Sequence, residues 1–313
     1  MMKQDHFKDM IGQTAVKRLL SEELIPAHHG GCPLPHILLI APKGCGKTEM
    51  ARCIARSLGK AGKIYNSGGI KNADQFFENI VIEKLHDQDF TAVFDECHLL
   101  PKKVQGLLLT MLNPNKEKGN MVTHGDYEAW IDFRRQSFIF ATTDPQLVDK
   151  ALKDRCKVIE LEEYVQDEIA DIVALHCDAV SDRTLLLDIA SVCRGNARSA
   201  VTLSEDLARF LAKKKVMGED HSVFDATDWD KFKFNYSILP LGISRKEMQV
   251  LKLIHEEQVI SLGDIAFRVG DPPSVVRLET EAYLRKRELI CIDDQSKRLL
   301  TAKGKLVMDN LPA

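Results

Sequence analysis

No apolar run in these 313 residues approaches the roughly 18 that a membrane-spanning helix needs. The opening residues, Met1 to His6, lack the apolar core of a secretory signal, so a cytoplasmic protein is expected. There is no C-x-x-C pair among the eight cysteines. That pattern speaks against a zinc ribbon and for reduced thiols in core positions. Excess positive charge is also missing. With a formal net charge of −3, any contact with nucleic acid has to come from a local patch. What remains, 44% hydrophobic and 28% charged, is an ordinary globular composition, long enough for about two or three domains.

The stretch that organises the chain runs from His36 to Met50. An apolar run, Ile37 to Ile40, suits a strand buried on both faces. A turn bearing Gly44 and Gly46 follows, and then a helix starting near Thr48. Backbone N–H groups of such a turn can curl around a phosphate, with the positive end of the helix aimed at the same point. Lys47 would reach the β- and γ-phosphates and the Thr48 hydroxyl would ligate Mg²⁺. The nucleotide contacts expected here are Gly44, Cys45, Gly46, Lys47, Thr48 and Glu49. Cys45 is then the one thiol whose alkylation would block nucleotide. The pattern G-x-x-x-x-G-K-[ST] has Ala41 where its first glycine belongs, which predicts a looser loop without loss of the site.

Downstream, the apolar strand 90–94 ends in Asp95 and Glu96. At the rim of a parallel sheet, Asp95 can hold the water shell of Mg²⁺ and Glu96 can polarise an attacking water. The same pair could also simply cap a turn. A third buried strand, 137–141, ends in Thr142 and Thr143; a hydroxyl there orients the lytic water or reads the γ-phosphate, and can equally cap the next turn. Arg155 follows at a helix end. An arginine at a subunit edge suits a neighbouring γ-phosphate, although a solvated surface arginine is the default reading. Residues 163–215 are helical in pattern. Within them Gly195 ends one helix, Asn196 caps the next and Arg198 falls in its first turn. A cation there is unfavourable next to the helix dipole, so it calls for an external anion such as a γ-phosphate.

Three further segments complete the expectation. Residues 26–35 read as a turn-rich connector, and 120–134 as a β-hairpin around a His124–Gly125–Asp126 turn. Residues 213–230 read as a mixed-charge linker, only partly ordered. From 239 the pattern is three helices and a hairpin, a winged helix. Its basic residues include Arg277, Arg285, Lys297, Arg298 and Lys303, offset by a nearly equal number of acids. To bind phosphates they must be gathered on one face.

The order of these parts resembles one family. Ile11, Gly12 and Gln13, the phosphate loop, Phe94-Asp95-Glu96, Ala141-Thr142-Thr143, Asp154-Arg155-Cys156, Gly195 to Arg198 and a winged helix together resemble the RuvB-type motor of Holliday-junction branch migration, an AAA+ ATPase. The fold implied is an α/β AAA+ core (parallel sheet flanked by helices) over 1–160, a helical lid over 161–238 and a winged helix over 239–313. The resemblance further implies that Ile11, Gly12 and Gln13 pack the adenine of ATP. Thr143, or Thr142 if the register is one residue off, would be the first sensor, and Arg198 the second. Arg155 would act in trans across a hexameric ring around duplex or four-way-junction DNA. A junction-binding protein would dock at the hairpin 120–134. The departures are a shorter hairpin and a wing carrying Asp293 and Asp294. Two other readings share the nucleotide site: a clamp-loader-like ATPase switch, and an ATP-gated DNA-binding scaffold of a phage or mobile element.

Overall fold

The computed structural model describes residues 6–85, 89–113, 120–124, 127–131 and 136–309. They form two compact units. One comprises residues up to Leu175 together with Gly195–Thr202, and the other comprises His176–Arg194 with the chain from Leu203 onward. The units do not divide at 160, and the stretch 161–238 is shared between them.

The first unit is built on a parallel sheet. Its strands are β1 (Ile37–Ile40), β2 (Ala61–Asn66), β3 (Phe90–Asp95), β6 (Ser137–Thr142) and β7 (Lys157–Glu160), in the order β2-β3-β6-β1-β7. Between β3 and β6 the chain inserts an antiparallel hairpin, β4 (Asn120–His124) and β5 (Tyr127–Ile131), with His124 opposite Tyr127. Its turn, Gly125–Asp126, and residues 132–134 lie outside the described residues.

The apolar runs explain the layering. Because side chains alternate along a strand, Ile37, Leu39, Val93, Ile139 and Ala141 face one layer, with Met50, Ile54 and Leu58 of the helix Lys47–Leu58. Leu38, Ala92, Phe94, Phe138 and Phe140 face the other, with Phe76, Val104 and Leu108. Tyr65, Phe94 and Phe140 stack across three adjacent strands at 5.6 and 5.5 Å. Of the expected connector 26–35, residues 26–29 are corrected to helix, Ile25–His29, and the turn begins at Gly30. Pro26 follows directly on the wider π-helical turn Leu19–Leu24, a break in the regular i→i−4 ladder of the kind that accompanies proline within a helix.

In the second unit, the region expected as linker ends in a helix, Ala226–Tyr236. Trp229 and Phe232 are buried, and Phe232 packs edge-on to Phe210 and Phe224. Aromatics three apart on one face order a segment that its charge alone would leave loose. The winged helix follows as Arg245–Glu257, Leu262–Val269, a third helix over 273–286, and the hairpin of β9 (Ile290–Ile292) and β10 (Lys297–Leu300). A short strand, β8 (Ile260–Ser261), pairs with β10, and a last helix, Ala302–Asp309, closes the chain. Among the described residues no helix is long and apolar enough to cross a membrane.

Candidate functional site

Strand register brings the motifs together. Ile40 of β1 lies level with Thr142 of β6, and Phe94 of β3 with Phe140. The phosphate loop, Asp95–Glu96 and Thr142–Thr143 therefore leave the sheet along one edge, the carboxyl edge at which open α/β sheets bind ligands.

Gly44 and Gly46 have left-handed backbones, with φ of 79° and 82°. A Cβ on Gly44 would stand 2.0 Å from Asn196 Oδ1, and one on Gly46 2.8 Å from Tyr164 Oη. Both conformation and space exclude a side chain. Ala41 makes no such demand. It is not among the residues with positive φ, and it is 3% exposed. Its N–H donates to Thr142 O at 3.3 Å and its carbonyl accepts from Lys47 Nζ at 2.8 Å. The loop is pinned at Ala41, where looseness was expected.

Lys47 also donates to Pro42 O at 3.0 Å. Burial pushes its pKa down, while Glu96 and Asp95 pull it back up and Arg198 adds to the lowering. Arg198 is thus near enough for its charge to act on Lys47. Thr48 Oγ1 donates to Asp95 Oδ2 at 2.8 Å, and Asp95 Oδ1 accepts the Glu96 N–H at 3.1 Å. Glu96 Oε2 accepts the Thr143 N–H at 3.3 Å and lies 3.0 Å from its hydroxyl. That hydroxyl is also 2.6 Å from Asp144 Oδ2 and holds the Asp144 carboxyl below its usual range.

The two threonines are now distinguished. Thr143 reaches Glu96, whereas the Thr142 hydroxyl is buried, 2.9 Å from His98 Nδ1, and accepts the Asp144 N–H at 3.0 Å. His98 is a member of the site that spacing alone did not single out. Its Nδ1 is 3.4 Å from Glu96 Oε2 and its Nε2 is 3.7 Å from Asp144 Oδ2. Asn196, expected only as a cap, also donates from Nδ2 to Lys43 O at 3.2 Å, and the Ala197 N–H donates to Gly44 O at 3.1 Å. Tyr164, which crowds Gly46, lies more than a hundred residues away in the sequence and carried no signal.

Gly12 and Gln13 both have left-handed backbones. The Gln13 amide closes a two-way bond with the backbone of Glu162, Nε2 to O at 2.7 Å and N to Oε1 at 3.1 Å. Its side chain therefore ties two segments together and does not stand open to a base. Ile11 is half-buried beside it, and Glu49 lies in the first helical turn, bonded to Arg52. Arg155 ends the helix Lys150–Asp154 and donates to Ala151 O at 3.0 Å. Cys45 is buried, and all eight cysteines are free thiols.

In the winged helix, Arg277, Arg285, Lys297 and Lys303 are exposed. Arg277, Arg285 and Lys286 line one groove with Leu278, Ala282 and Ile292. Arg298 is corrected. It is 4% exposed, and its Nε and Nη2 bind the fully buried Glu281 carboxylate at 2.7 and 3.0 Å. A guanidinium held this way is not available to phosphates. The acid in the wing has a structural use: Asp293 Oδ1 accepts the N–H groups of Gln295 and Lys297, closing the hairpin turn.

The residues present fit a nucleoside triphosphate with a divalent ion. Gly44 and Gly46 supply the left-handed backbone with which a phosphate loop turns its N–H groups inward. The Thr48 hydroxyl and the Asp95 carboxylate are the hard oxygen donors that Mg²⁺ takes. Residues 2–163 match the family described as the Holliday junction DNA helicase RuvB P-loop domain. The chain belongs to that family. RuvB membership makes it a nucleotide-binding P-loop ATPase of helicase type. The chain is 28% identical to the Holliday junction branch migration complex subunit RuvB of Prochlorococcus marinus (strain MIT 9301), covering 97% of this chain and 86% of that one. It is 25% identical to the subunit of the same name from Anaplasma marginale (strain Florida), covering 95% and 89%. In fold it is similar to the Thermotoga maritima RuvB Holliday junction branch migration motor, with a TM-score of 0.71, 22% identity and 99% of each chain covered.

Proposed function

We propose that the protein is an ATP-driven DNA motor of the RuvB type, turning hydrolysis into movement along duplex or four-way-junction DNA in recombination and repair. The observation that carries this reading is the unbroken hydrogen-bonded series Thr48–Asp95–Glu96–Thr143 beside the buried Lys47. In this mechanism Lys47 and Arg198 draw the phosphates in, and Gly44 to Glu49 hold them through backbone N–H groups. Thr48 and Asp95 would hold Mg²⁺, which when bound neutralises phosphate charge. Glu96 takes the proton of the attacking water, and Thr143 orients Glu96 toward it. The working form is a homo-oligomeric ring, a hexamer, in the cytoplasm. Arg155 serves the neighbouring subunit's phosphates, Ile11 to Gln13 border the adenine, and the hairpin 120–134 receives a junction-binding protein. The exposed Arg277, Arg285, Lys297 and Lys303 meet the DNA backbone.

The test is the steady-state ATPase rate without DNA, with linear duplex and with a four-way junction, at two salt concentrations, with Lys47→Ala as blank. DNA should raise the rate, and the rise should fade with salt as phosphate contacts are screened. A rate indifferent to every DNA would remove the motor reading while leaving the ATPase. Mixed rings of Lys47→Ala and Arg155→Ala subunits should regain some activity.

A further inference from the structure

The helix Arg183–Val192 is followed by Arg194, whose φ of 60° is one that glycine adopts freely and other residues only under strain. The Arg194 Nη1 and Nη2 form a fork onto both oxygens of Glu247, at 3.2 and 2.8 Å. Its Cζ stands 3.3 Å over the Tyr283 ring. Each partner is itself fixed. The Glu247 side chain is 4% exposed and closes a capping box with Ser244 at the start of the helix Arg245–Glu257. Tyr283 is buried and donates from its hydroxyl to Leu241 O. In the next turn Gly242 packs so closely that a Cβ would lie 2.2 Å from Val192 O. Fork, stack and backbone contact together lock the end of one helix to the first and third helices of the winged helix.

The residue after Arg194 is Gly195, also left-handed, at which the chain passes from one compact unit to the other. The next residues are Asn196 and Ala197, which bond the phosphate-loop carbonyls of Lys43 and Gly44, and Arg198, whose charge acts on Lys47. One five-residue stretch therefore carries a grip on the winged helix at its start and a grip on the phosphate loop at its end. We infer that Arg194 is the coupling residue of this protein: through its fork onto Glu247 and its stack on Tyr283, a change in the phosphate loop reaches the winged helix, and DNA on the winged helix reaches ATP turnover. Both side-chain partners of Arg194 are residues of the winged helix. Its role is to link the turn bearing Asn196 and Arg198, which the phosphate loop itself holds through Lys43 and Gly44, to the winged helix. The inference rests on the proposed DNA-dependent ATPase for its second half only.

The experiment uses the full chain as wild type, Arg194→Ala, Glu247→Gln and Arg194→Lys, the last keeping the charge but neither fork nor stack. Basal ATPase should stay within about twofold, while stimulation by duplex falls by about fivefold or more, the usual size of a coupling between sites. Hydrogen exchange is then followed with a non-hydrolysable ATP analogue. In the wild type, amides at 43–48 and at 245–257 should both change; in Arg194→Ala only those at 43–48 should. Arg194→Lys should behave like Arg194→Ala, since a point charge replaces neither contact. If 245–257 respond equally in Arg194→Ala, or do not respond in the wild type, the inference is overturned. Basal and stimulated rates falling in parallel would also overturn it. If DNA fails to stimulate the wild type yet the exchange pattern is as expected, the coupling stands and the DNA motor does not.

Discussion

The phosphate loop and the winged helix each drew a set of named residues from the sequence, and the two sets fared differently. Around Lys47, residues from three strands and the 195–198 turn meet within hydrogen-bond distance, and the two glycines sit where no side chain fits. On the winged helix four of the five basic residues face solvent, while Arg298 lies inside, paired to Glu281. The difference lies in what each pattern encodes. Glycine, lysine and threonine at fixed offsets specify a backbone path, and that path fixes where each side chain points. A run of basic residues specifies only composition. On β10 neighbouring side chains point to opposite faces, so Lys297 and Arg298 had to differ, and a buried glutamate on the third helix marked which of them went in.

The comparison can be broken first at the phosphate site. Glu96→Gln should bind ATP at close to wild-type affinity and hydrolyse it about 10²–10³ times more slowly, as expected for loss of a general base. Turnover at the wild-type rate would put the water-activating group elsewhere. On the winged helix, Arg298→Ala leaves the Glu281 carboxylate buried without its partner. Thermal and urea unfolding should show a loss of about 3–5 kcal/mol. If Arg298→Ala melts like the wild type and weakens DNA binding instead, the assignment of Arg298 to the interior is wrong.

A third effect concerns His36, just before β1, whose ring stands edge-on to Phe138. Burial holds its pKa down at about 4, against an ordinary 6.5. As pH falls, the unfolded chain takes up a proton before the folded one. Stability contributed by neutral His36 is therefore complete above about pH 6.5 and lost progressively down to about pH 4. Relative to His36→Phe, the wild type should lose about 2–3 kcal/mol more between pH 7.5 and 4.5. Parallel curves for the two proteins would show that His36 titrates normally. The smallest effect belongs to Arg285→Ala. It should leave stability within about 0.5 kcal/mol and weaken DNA binding across sequences, flattening the salt dependence by about one unit of slope. That outcome beside the Arg298 result would separate the outward from the inward arginine within one domain.

Much of the core was legible from residue pattern. The runs 37–40, 90–94 and 137–141 are largely apolar on both faces, as the strands of a covered parallel sheet are; the first leads into the phosphate loop and the other two end in the polar residues Asp95–Glu96 and Thr142–Thr143. The helix Ala226–Tyr236 was not read because its charges dominate the local composition, while the aromatics that order it pack onto Phe210 and Phe224 from outside the segment. His98 and Tyr164 were missed for a related reason. Their roles depend on neighbours 44 residues away in the first case and more than a hundred in the second, and no local periodicity records such pairings. Thr142 and Thr143 were adjacent hydroxyls in the sequence, and only the direction in which each leaves β6 separates them.

The two-way bond between Gln13 and Glu162 spans 149 residues, and β7, the strand beside it, pairs with β1. During synthesis, therefore, a nascent chain ending before β7 lacks both the closing edge of the sheet and the anchor of its own N-terminal segment. Contacts of such long sequence separation form late, because the loop they close must first be ordered. The phosphate loop is translated early, but the pocket it belongs to is completed only when nearly the whole core has emerged. Truncated translation products of this chain should consequently be poor ATP traps, although they carry every residue of the loop itself.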